Sequence, residues 1–576
     1  MKWTFAQNND SKVKLYSQKL NISQILATIF VNRNIDIKTA DKLIHHTYDI
    51  IEKPVPIYNM PVAVDCVLNS IKQRRPIHIF ADYDCDGLTS GYIMSTFMNN
   101  FNGITAEVYY PERIEKYGLS KLYCTKLIER YSDSAIKPLV ITVDNGITKK
   151  DEVSLLRDNG FSVLITDHHL VDSSLLPEDC VILDPYYGDS KYGKNLCGAG
   201  VAWNLCRAIE DKINVDHNFT NSLLYAAAIG TLADVMPLDT YNLALTTLGL
   251  AVMNSEQASN NIKVFRDLFC SDTTIDSNTI SWTLAPMLNA CGRMGDVHLG
   301  ANFFFETNEN ALVDILKSIK DVNDKRKKIE EKALKNVEKD IENKEKDTEI
   351  ICVFGDSYPV GIHGLIAGKI SQKYNKPSIV LKPLSNEDMY IGSCRSNTIP
   401  LDVLMRTAKE SGDLLSFGGH AFAGGISVAK NKCDDLVCVA NKTIRKMKED
   451  GTYDKYLKES AVQIDSCLCI SDINNKVRNE INKYAYGNKY FKEPIWSFRN
   501  LTVKKISNSK NNPNHIKFTV SDGHKTIDIW GWNFAQRYAE IGEPKEIDIA
   551  GQIVSNFMNP KQTTLRIVDI RNANEN

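Results

Sequence analysis

The stretch "IHIFADYDCDGLTS" (Ile77–Ser90) runs mostly apolar as far as Ala81, then places Asp82, Asp84 and Asp86 at every second position. "IHIFA" reads as a strand buried on both faces. In extended backbone, residues i, i+2 and i+4 share a side, so the three carboxylates are expected to converge. Converging like charges repel unless a cation sits between them. A divalent metal site at a strand's carboxyl end is one reading; an exposed acidic turn is the bland one.

The neighbouring sequence weighs against the bland reading. "LVITV" (139–143) is followed by Asp144-Asn145-Gly146, and "SVLIT" (162–166) by Asp167-His168-His169. A further strand candidate is "VILD" (181–184), and "AAAIGTLADVMPL" supplies Asp234. Short apolar runs alternating with helical stretches over 55–250 predict a parallel α/β sheet. Ligands of such sheets collect outside the carboxyl ends of the strands. Carboxylates with imidazoles suit Mn²⁺ or a similar divalent ion. There are more candidate ligands than one ion needs, which suits a two-ion cluster that hydrolyses phosphoryl esters.

The chain has 576 residues, enough for three to five domains, with a formal net charge of −2. No global basic field advertises nucleic acid, so a bound polyanion must be held by local patches and cations. "MKWTFAQNNDSK" lacks the apolar core of a signal peptide, and no run of about 18 apolar residues occurs. The 14 cysteines include no CxxC pair, neither a zinc pattern nor a disulfide framework. A cytoplasmic protein with reduced thiols is expected.

The expected organisation is a helical segment at 1–54, a catalytic α/β domain at 55–250 and a helical connector at 251–348. A second α/β domain at 349–450 and an all-β domain at 451–576 follow. Within 321–347, apolar residues at Val322, Ile329, Ala333, Leu334, Val337 and Ile341 mark one narrow stripe of a long linking helix. "HIKFTVSDGHKTIDIWGW" reads as a hairpin around Asp522-Gly523, in a five-stranded barrel of the oligonucleotide-binding type. Trp496, Phe498, Trp530 and Trp532 are either base-stacking residues or core.

"DYDCDG", "VDNG", "TDHH" and "GTLADVMPL" resemble the successive motifs of the DHH phosphoesterases. "PERIEKYGLS" (111–120), "LCGAGVAW" (196–203), "APMLNACGRMG" (285–295) and "GSCRS" (392–396) are similar to segments of the RecJ group within that family. "GGHAFAGG" (418–425) resembles the glycine-rich signature of the DHHA1 domain that accompanies it. The resemblance spans roughly 55–430. It departs from the usual pattern at Ile362, where Trp commonly precedes the histidine, and at Asp184-Pro185, where Asn-Pro is usual.

The resemblance implies a single-strand-specific 5′→3′ DNA exonuclease acting in repair and recombination, with two divalent ions, Mn²⁺ first and Mg²⁺ second. It implies Asp84, Asp86, Asp144, His168 and Asp234 as metal ligands, Asp144 bridging, with Asp82 and His169 in catalytic roles. Substrate contacts are expected from Arg113, Arg293, Asn323, Arg326, His363, Ser393, Arg395, Gly419 and His420. The expected partners are single-stranded DNA and a single-strand-binding protein or helicase, with no membrane and a monomeric chain. The alternatives are a DHH hydrolase of short oligonucleotides or small phosphoanhydrides, and a non-enzymatic scaffold in a replication assembly.

Overall fold

The computed structural model describes residues 2–574 except 8, 113–117, 271–273, 343–347, 356–357, 385–387, 457–460, 488, 510–511, 557–558 and 560. The chain divides into two units. One comprises Met1–Leu288, Ala301–Leu316 and Ala461–Asn576, the other Asn289–Gly300 and Lys317–Ser460.

The first unit is built on a five-stranded sheet in the order Ala106–Tyr109, Ile77–Ala81, Leu139–Val143, Ser162–Thr166, Val181–Leu183. Every pairing in it is parallel. Ile77–Ala81 and Leu139–Val143 are buried along their whole length, which is why both read as continuous apolar runs rather than alternating ones. After Ile77–Ala81 the chain adds a strand on one side, then returns to add Leu139–Val143 on the other. The strand order therefore reverses between these two, and the crevice outside their carboxyl ends is where a doubly wound sheet takes its ligand.

The N-terminal segment is not helical throughout, as the sequence suggests. Lys2–Phe5 is a strand that pairs in parallel with Ala461–Ile464, and helices follow it. Four residues alone hold little helical or strand bias; the pairing comes from a segment more than 450 residues away.

The C-terminal barrel closes: Trp496–Asn508, Ile516–Ser521, Thr526–Gly531, Thr563–Asn572 and Glu546–Ser555 pair in that order, and the last returns to the first. The hairpin forms where the sequence places it. Asp522 Oδ1 accepts the amides of His524 and Lys525, and Gly523 takes φ +90°. Trp496 and Phe498 are wholly buried, so neither stacks a base.

The second unit carries a mixed five-stranded sheet in the order Ser416–His420, Ala423–Ala429, Met389–Arg395, Ser378–Pro383, Ile351–Phe354. The apolar stripe of the long helix Glu309–Glu342, from Ile329 to Ile341, packs with Ile362, Ile366 and Ile370 of the helix Val360–Tyr374. None of the fourteen cysteines, all among the described residues, forms a disulfide. No helix among the described residues is long and apolar enough to cross a membrane.

Candidate active site

The acidic triplet converges, but not by strand alternation. The strand stops at Ala81, and Asp84 is the N-cap of the helix Cys85–Asn99, its Oδ1 accepting the amides of Asp86 (2.9 Å) and Gly87 (3.1 Å). Asp86 lies inside the first helical turn. Asp82, Asp84 and Asp86 are thus gathered by a strand-to-helix turn. Gly87 makes the turn possible, because a Cβ there would sit 2.5 Å from the Asp82 carbonyl carbon. Cys85 is buried, as packing.

Asp86 is held from outside its own segment. Its Oδ2 accepts the Gly198 amide at 2.7 Å and its Oδ1 the Ala199 amide at 2.9 Å. These are the first amides of the helix Gly198–Ile213, whose N-terminal dipole favours a carboxylate. "LCGAGVAW" therefore serves the acid cluster through its backbone. Gly198 and Gly230 both lie where a side chain would strike the site: a Cβ on Gly198 meets Asp144 Cβ at 2.5 Å, and one on Gly230 meets Asp86 Oδ1 at 2.6 Å.

Asp144 leaves the strand in the left-handed region, φ +62°, with its amide on the Thr166 carbonyl at 3.1 Å. Asn145 beside it is fully buried. Its Nδ2 donates to the Phe80 (3.2 Å) and Val143 (2.9 Å) carbonyls while its Oδ1 accepts the Leu119 amide (3.1 Å). The two central strand ends are tied together through this one side chain. Val235, directly after Asp234, also takes a positive φ of 55°, uncommon for a β-branched residue.

The third contribution is Asp167-His168-His169. Buried Asp167 accepts the Ile147 amide at Oδ2 (2.9 Å) and His169 Nδ1 at Oδ1 (2.7 Å). His169 Nδ1 is thereby the donor and its Nε2 is turned away from Asp167. His168 Nε2 lies 3.1 Å from Asp144 Oδ1, 3.7 Å from Asp86 Oδ2 and 3.9 Å from Asp234 Oδ2.

Three groups result whose donor atoms lie within 4.8 Å of one another: Asp86-His168-Asp234, Asp82-Asp84-Asp144 and Asp144-His168-His169. Asp144 and His168 each belong to two of them. Burial, and after it the charge of neighbouring acids, raises the pKa of Asp86, Asp144 and Asp234. Burial opposes the charged form of His169, but the hydrogen bond and charge of Asp167, with Asp234 and Asp82, lift its pKa to about 9. A set of mutually repelling carboxylate oxygens, buried at Asp82, Asp86 and Asp144 and open to solvent at Asp234, with an imidazole nitrogen among them fits divalent cations of the Mn²⁺ or Mg²⁺ type.

Residues 76–231 match the DHH family, N-terminal domain; residues 346–446 match the DHHA1 domain; residues 464–569 match the RecJ OB domain. With these three matches in this order, the chain is similar to proteins of the RecJ group of the DHH family. The single-stranded-DNA-specific exonuclease RecJ of Bacillus subtilis is 27% identical over 579 residues, covering 99% of this chain and 70% of that protein. RecJ of Haemophilus influenzae is 26% identical over 538 residues, covering 90% and 91%. The crystal structure of RecJ in complex with Mn²⁺ from Thermus thermophilus superposes with TM-score 0.79 at 19% identity, covering 99% of this chain and 79% of that one.

The predicted RecJ substrate residues divide. Arg293 Nη1 donates to the Gly361 carbonyl at 3.0 Å, and the Arg395 guanidinium lies across Gly364, where a Cβ would come within 2.5 Å of Nη2. Both arginines thus reach the opening turns of the helix Val360–Tyr374, which has no side-chain cap among the described residues. Ser393 and Gly419 sit on the two strands that flank Ala423–Ala429, opposite its Gly425 and Gly424, with Gly419 at φ +140°. Three of the expected residues are engaged within the chain. His363 is fully buried, its Nε2 on the Gly355 carbonyl at 3.1 Å, where it fixes that loop. Asn323 and Arg326 lie well inside the helix that begins at Glu309, not at its opening. Asn323 is buried and accepts from Arg326 Nε, and Arg326 pairs with Glu330 at 3.2 Å. Arg113 and the side chain of His420 lie outside the described residues.

Proposed function

We propose that this chain is a metal-dependent exonuclease that hydrolyses single-stranded DNA from its 5′ end, in cytoplasmic DNA repair and recombination. The observation that carries the reading is the convergence of Asp82, Asp84, Asp86, Asp144, His168, His169 and Asp234 at the switch point of the parallel sheet. The names of the relatives support single-stranded DNA as substrate. The closed C-terminal barrel suits a polymer more than a small phosphoanhydride.

Asp84, Asp86, Asp144, His168 and Asp234 would hold two divalent ions, Mn²⁺ or Mg²⁺, and Asp144, a member of two of the three groups, would be the ligand they share. When bound, the ions supply an activated water and positive charge for the phosphorane-like transition state. The chain's own residues do the rest. Asp84 spends one oxygen on its helix cap and keeps the other for the crevice. The Gly198 and Ala199 amides fix the carboxylate of Asp86. Protonated His169, with Asp167 on Nδ1, offers Nε2–H to a phosphoryl oxygen, and Asp82 stands beside it. Arg395, Arg293, Ser393 and the loop at Gly419 grip the terminal phosphate. The chain works as a monomer on single strands, alongside a strand-binding protein or helicase.

The test is digestion of end-labelled single-stranded DNA, duplex DNA and RNA, with Mn²⁺, with Mg²⁺ and without either. Mononucleotides should leave the 5′ end of single-stranded DNA, and only with metal. Hydrolysis confined to dinucleotides or pyrophosphate would replace this reading with that of a small-substrate hydrolase.

A further inference from the structure

A cavity of about 340 Å³ lies within the first unit, between the loop 53–56, the segment 192–196 and the start of the helix Thr240–Met253. None of its lining residues belongs to the acid cluster. We propose that it is an effector site for a guanine-type base, carried by a nucleoside or nucleotide, whose occupancy tightens metal binding. The effect on metal rests on the metal-site reading above; the binding of the base does not.

The volume falls within the range of small-molecule sites, about 300–1,000 Å³, and the walls have their usual composition of apolar and aromatic groups with a few polar atoms. Tyr192 is 62% exposed, and with Pro54 and Pro56 it offers apolar surface to a planar ring. Tyr241 is fixed: its hydroxyl donates to Asn204 Oδ1 at 2.9 Å, and the same oxygen accepts the Val55 amide at 2.7 Å. The loop and the helix start are therefore tied together before anything binds, which lowers the ordering cost of a ligand.

The polar groups are acceptors. Asn242 Nδ2 donates to the Asn195 (2.6 Å) and Pro237 (3.0 Å) carbonyls, so the orientation of its amide is set. Its Oδ1 is buried with no hydrogen-bond partner among the described residues. Asp239 Oδ1 accepts the Asn242 amide at 3.0 Å and Oδ2 accepts Asn195 Nδ2 at 2.8 Å, which leaves each oxygen a second lone pair. A carboxylate beside an amide oxygen suits a ligand edge with adjacent N–H donors, and guanine is the base that carries them. Lys53, exposed, offsets the charge of Asp239, so the lining favours a neutral donor edge over an amine.

The walls continue into the acid cluster. Leu196 lies two residues before Gly198, whose amide holds Asp86, and Asp239 lies five residues beyond Asp234. A ligand in contact with both walls favours the arrangement in which Asp86 and Asp234 converge, against the repulsion of their charges.

The test uses the full chain, first without metal. Deoxyguanosine should bind with a dissociation constant below about 1 mM by calorimetry, and deoxyadenosine, which lacks the paired donors, at least about 10-fold more weakly. Tyr192→Ala should weaken deoxyguanosine about 5- to 100-fold; the side chain is exposed, so folding does not depend on it. Asp239→Asn keeps a capping side chain at the helix start and should bring the two nucleosides to nearly equal affinity. Saturating deoxyguanosine should then tighten Mn²⁺ binding by about 5-fold or more. No binding of deoxyguanosine to the metal-free chain, or binding that neither variant weakens, overturns the site. Binding with Mn²⁺ affinity unmoved overturns the effector role. If the chain binds no Mn²⁺, the metal-site reading and the effector role fall together, while the metal-free titration still decides the cavity.

Discussion

Gly198 lies directly against Asp144: a Cβ built on the glycine would be 2.5 Å from Asp144 Cβ and 2.9 Å from its Cα. The same glycine gives its amide to Asp86 at 2.7 Å. One residue therefore sets the spacing of two acids from different strand ends. Alanine is ordinarily the better residue in a helix, by about 1 kcal/mol. Here Gly198→Ala must push Asp144 away or shift the helix start. Hydrolysis should fall at least about 100-fold, as a misplacement of this size does in a preorganised site. Metal affinity measured calorimetrically should fall with it. Wild-type turnover in the variant would show that the acid spacing is slack.

Asp144→Asn separates charge from conformation. Asparagine tolerates the left-handed backbone that Asp144 adopts at φ +62°, so the turn should survive. Burial first, and then the charges of Asp86 and Asp84, resist ionisation of Asp144. Removing that charge should raise the melting temperature of the metal-free protein at neutral pH. It should also abolish activity to below about a hundredth of wild type and lower metal content. Retained metal and activity would reject Asp144 as the bridging residue.

Asp167→Asn should act through His169. With Asp167 in place, the His169 pKa is raised to about 9. A protonated His169 is then available below that value and lost as pH rises through it, so the alkaline limb of the rate profile should fall near pH 9. Losing the Asp167 charge removes the main raising influence and leaves burial opposing the charge. The limb should move to lower pH, toward the ordinary histidine value of about 6.5. An unmoved limb would assign it to another group.

The strand-end chemistry was legible in the sequence because Asp144, His168 and Asp234 announce themselves by residue type and position. Asp82, Asp84 and Asp86 do come together, but by a different geometry, since nothing in "DYDCDG" says whether Asp84 continues a strand or caps a helix. Gly198 and Ala199 act through backbone amides on an acid more than 110 residues away, a role that residue identity does not encode. Asn145 likewise works by closing hydrogen bonds across two strands. Trp496 and Trp530 looked equivalent. Only closure of the barrel turned one into the core and left the other at the surface.

Asp184, at the end of the strand Val181–Leu183, has a pH behaviour that follows from its burial. It is fully buried; its Oδ1 accepts the Tyr186 amide at 2.6 Å, while Oδ2 has no hydrogen-bond partner among the described residues. Burial, and then the Asp167 charge, pushes its pKa from 3.8 to about 7. Between those values the folded chain binds more protons at Asp184 than the unfolded chain, so stability falls as pH rises from 4 to 7. Asp184→Asn should be neutral in stability near pH 4. It should be more stable than wild type by about 2 kcal/mol at pH 8, given that each tenfold change in proton affinity is worth about 1.4 kcal/mol and water relaxes part of it. Urea denaturation at the two pH values measures the difference; a gain independent of pH would trace it to packing instead.

The C-terminal barrel is tied to the N-terminal helices by a buried ion pair. Arg33, at the end of the helix Gln24–Asn32, forks onto Asp465 through Nη1 (2.5 Å) and Nη2 (3.1 Å), with side chains 9% and 3% exposed. Arg33 also donates to the Lys492 carbonyl at 2.8 Å. Asp465 further accepts Asn32 Nδ2 and the Ile495 amide. Beside them, wholly buried Phe30 packs on Tyr484 and Phe491 at 5.5 and 6.0 Å. Arg33→Ala leaves Asp465 buried without its counter-charge and should destabilise by about 3–5 kcal/mol. Adding Asp465→Asn should recover part of that loss, because the stranded charge is then gone. The two single variants and the double, measured by chemical denaturation, close the cycle. Additive losses would mean the pair does not couple the N-terminal helices to the barrel. If they do couple, a chain truncated near residue 455 should expose Phe30 and aggregate.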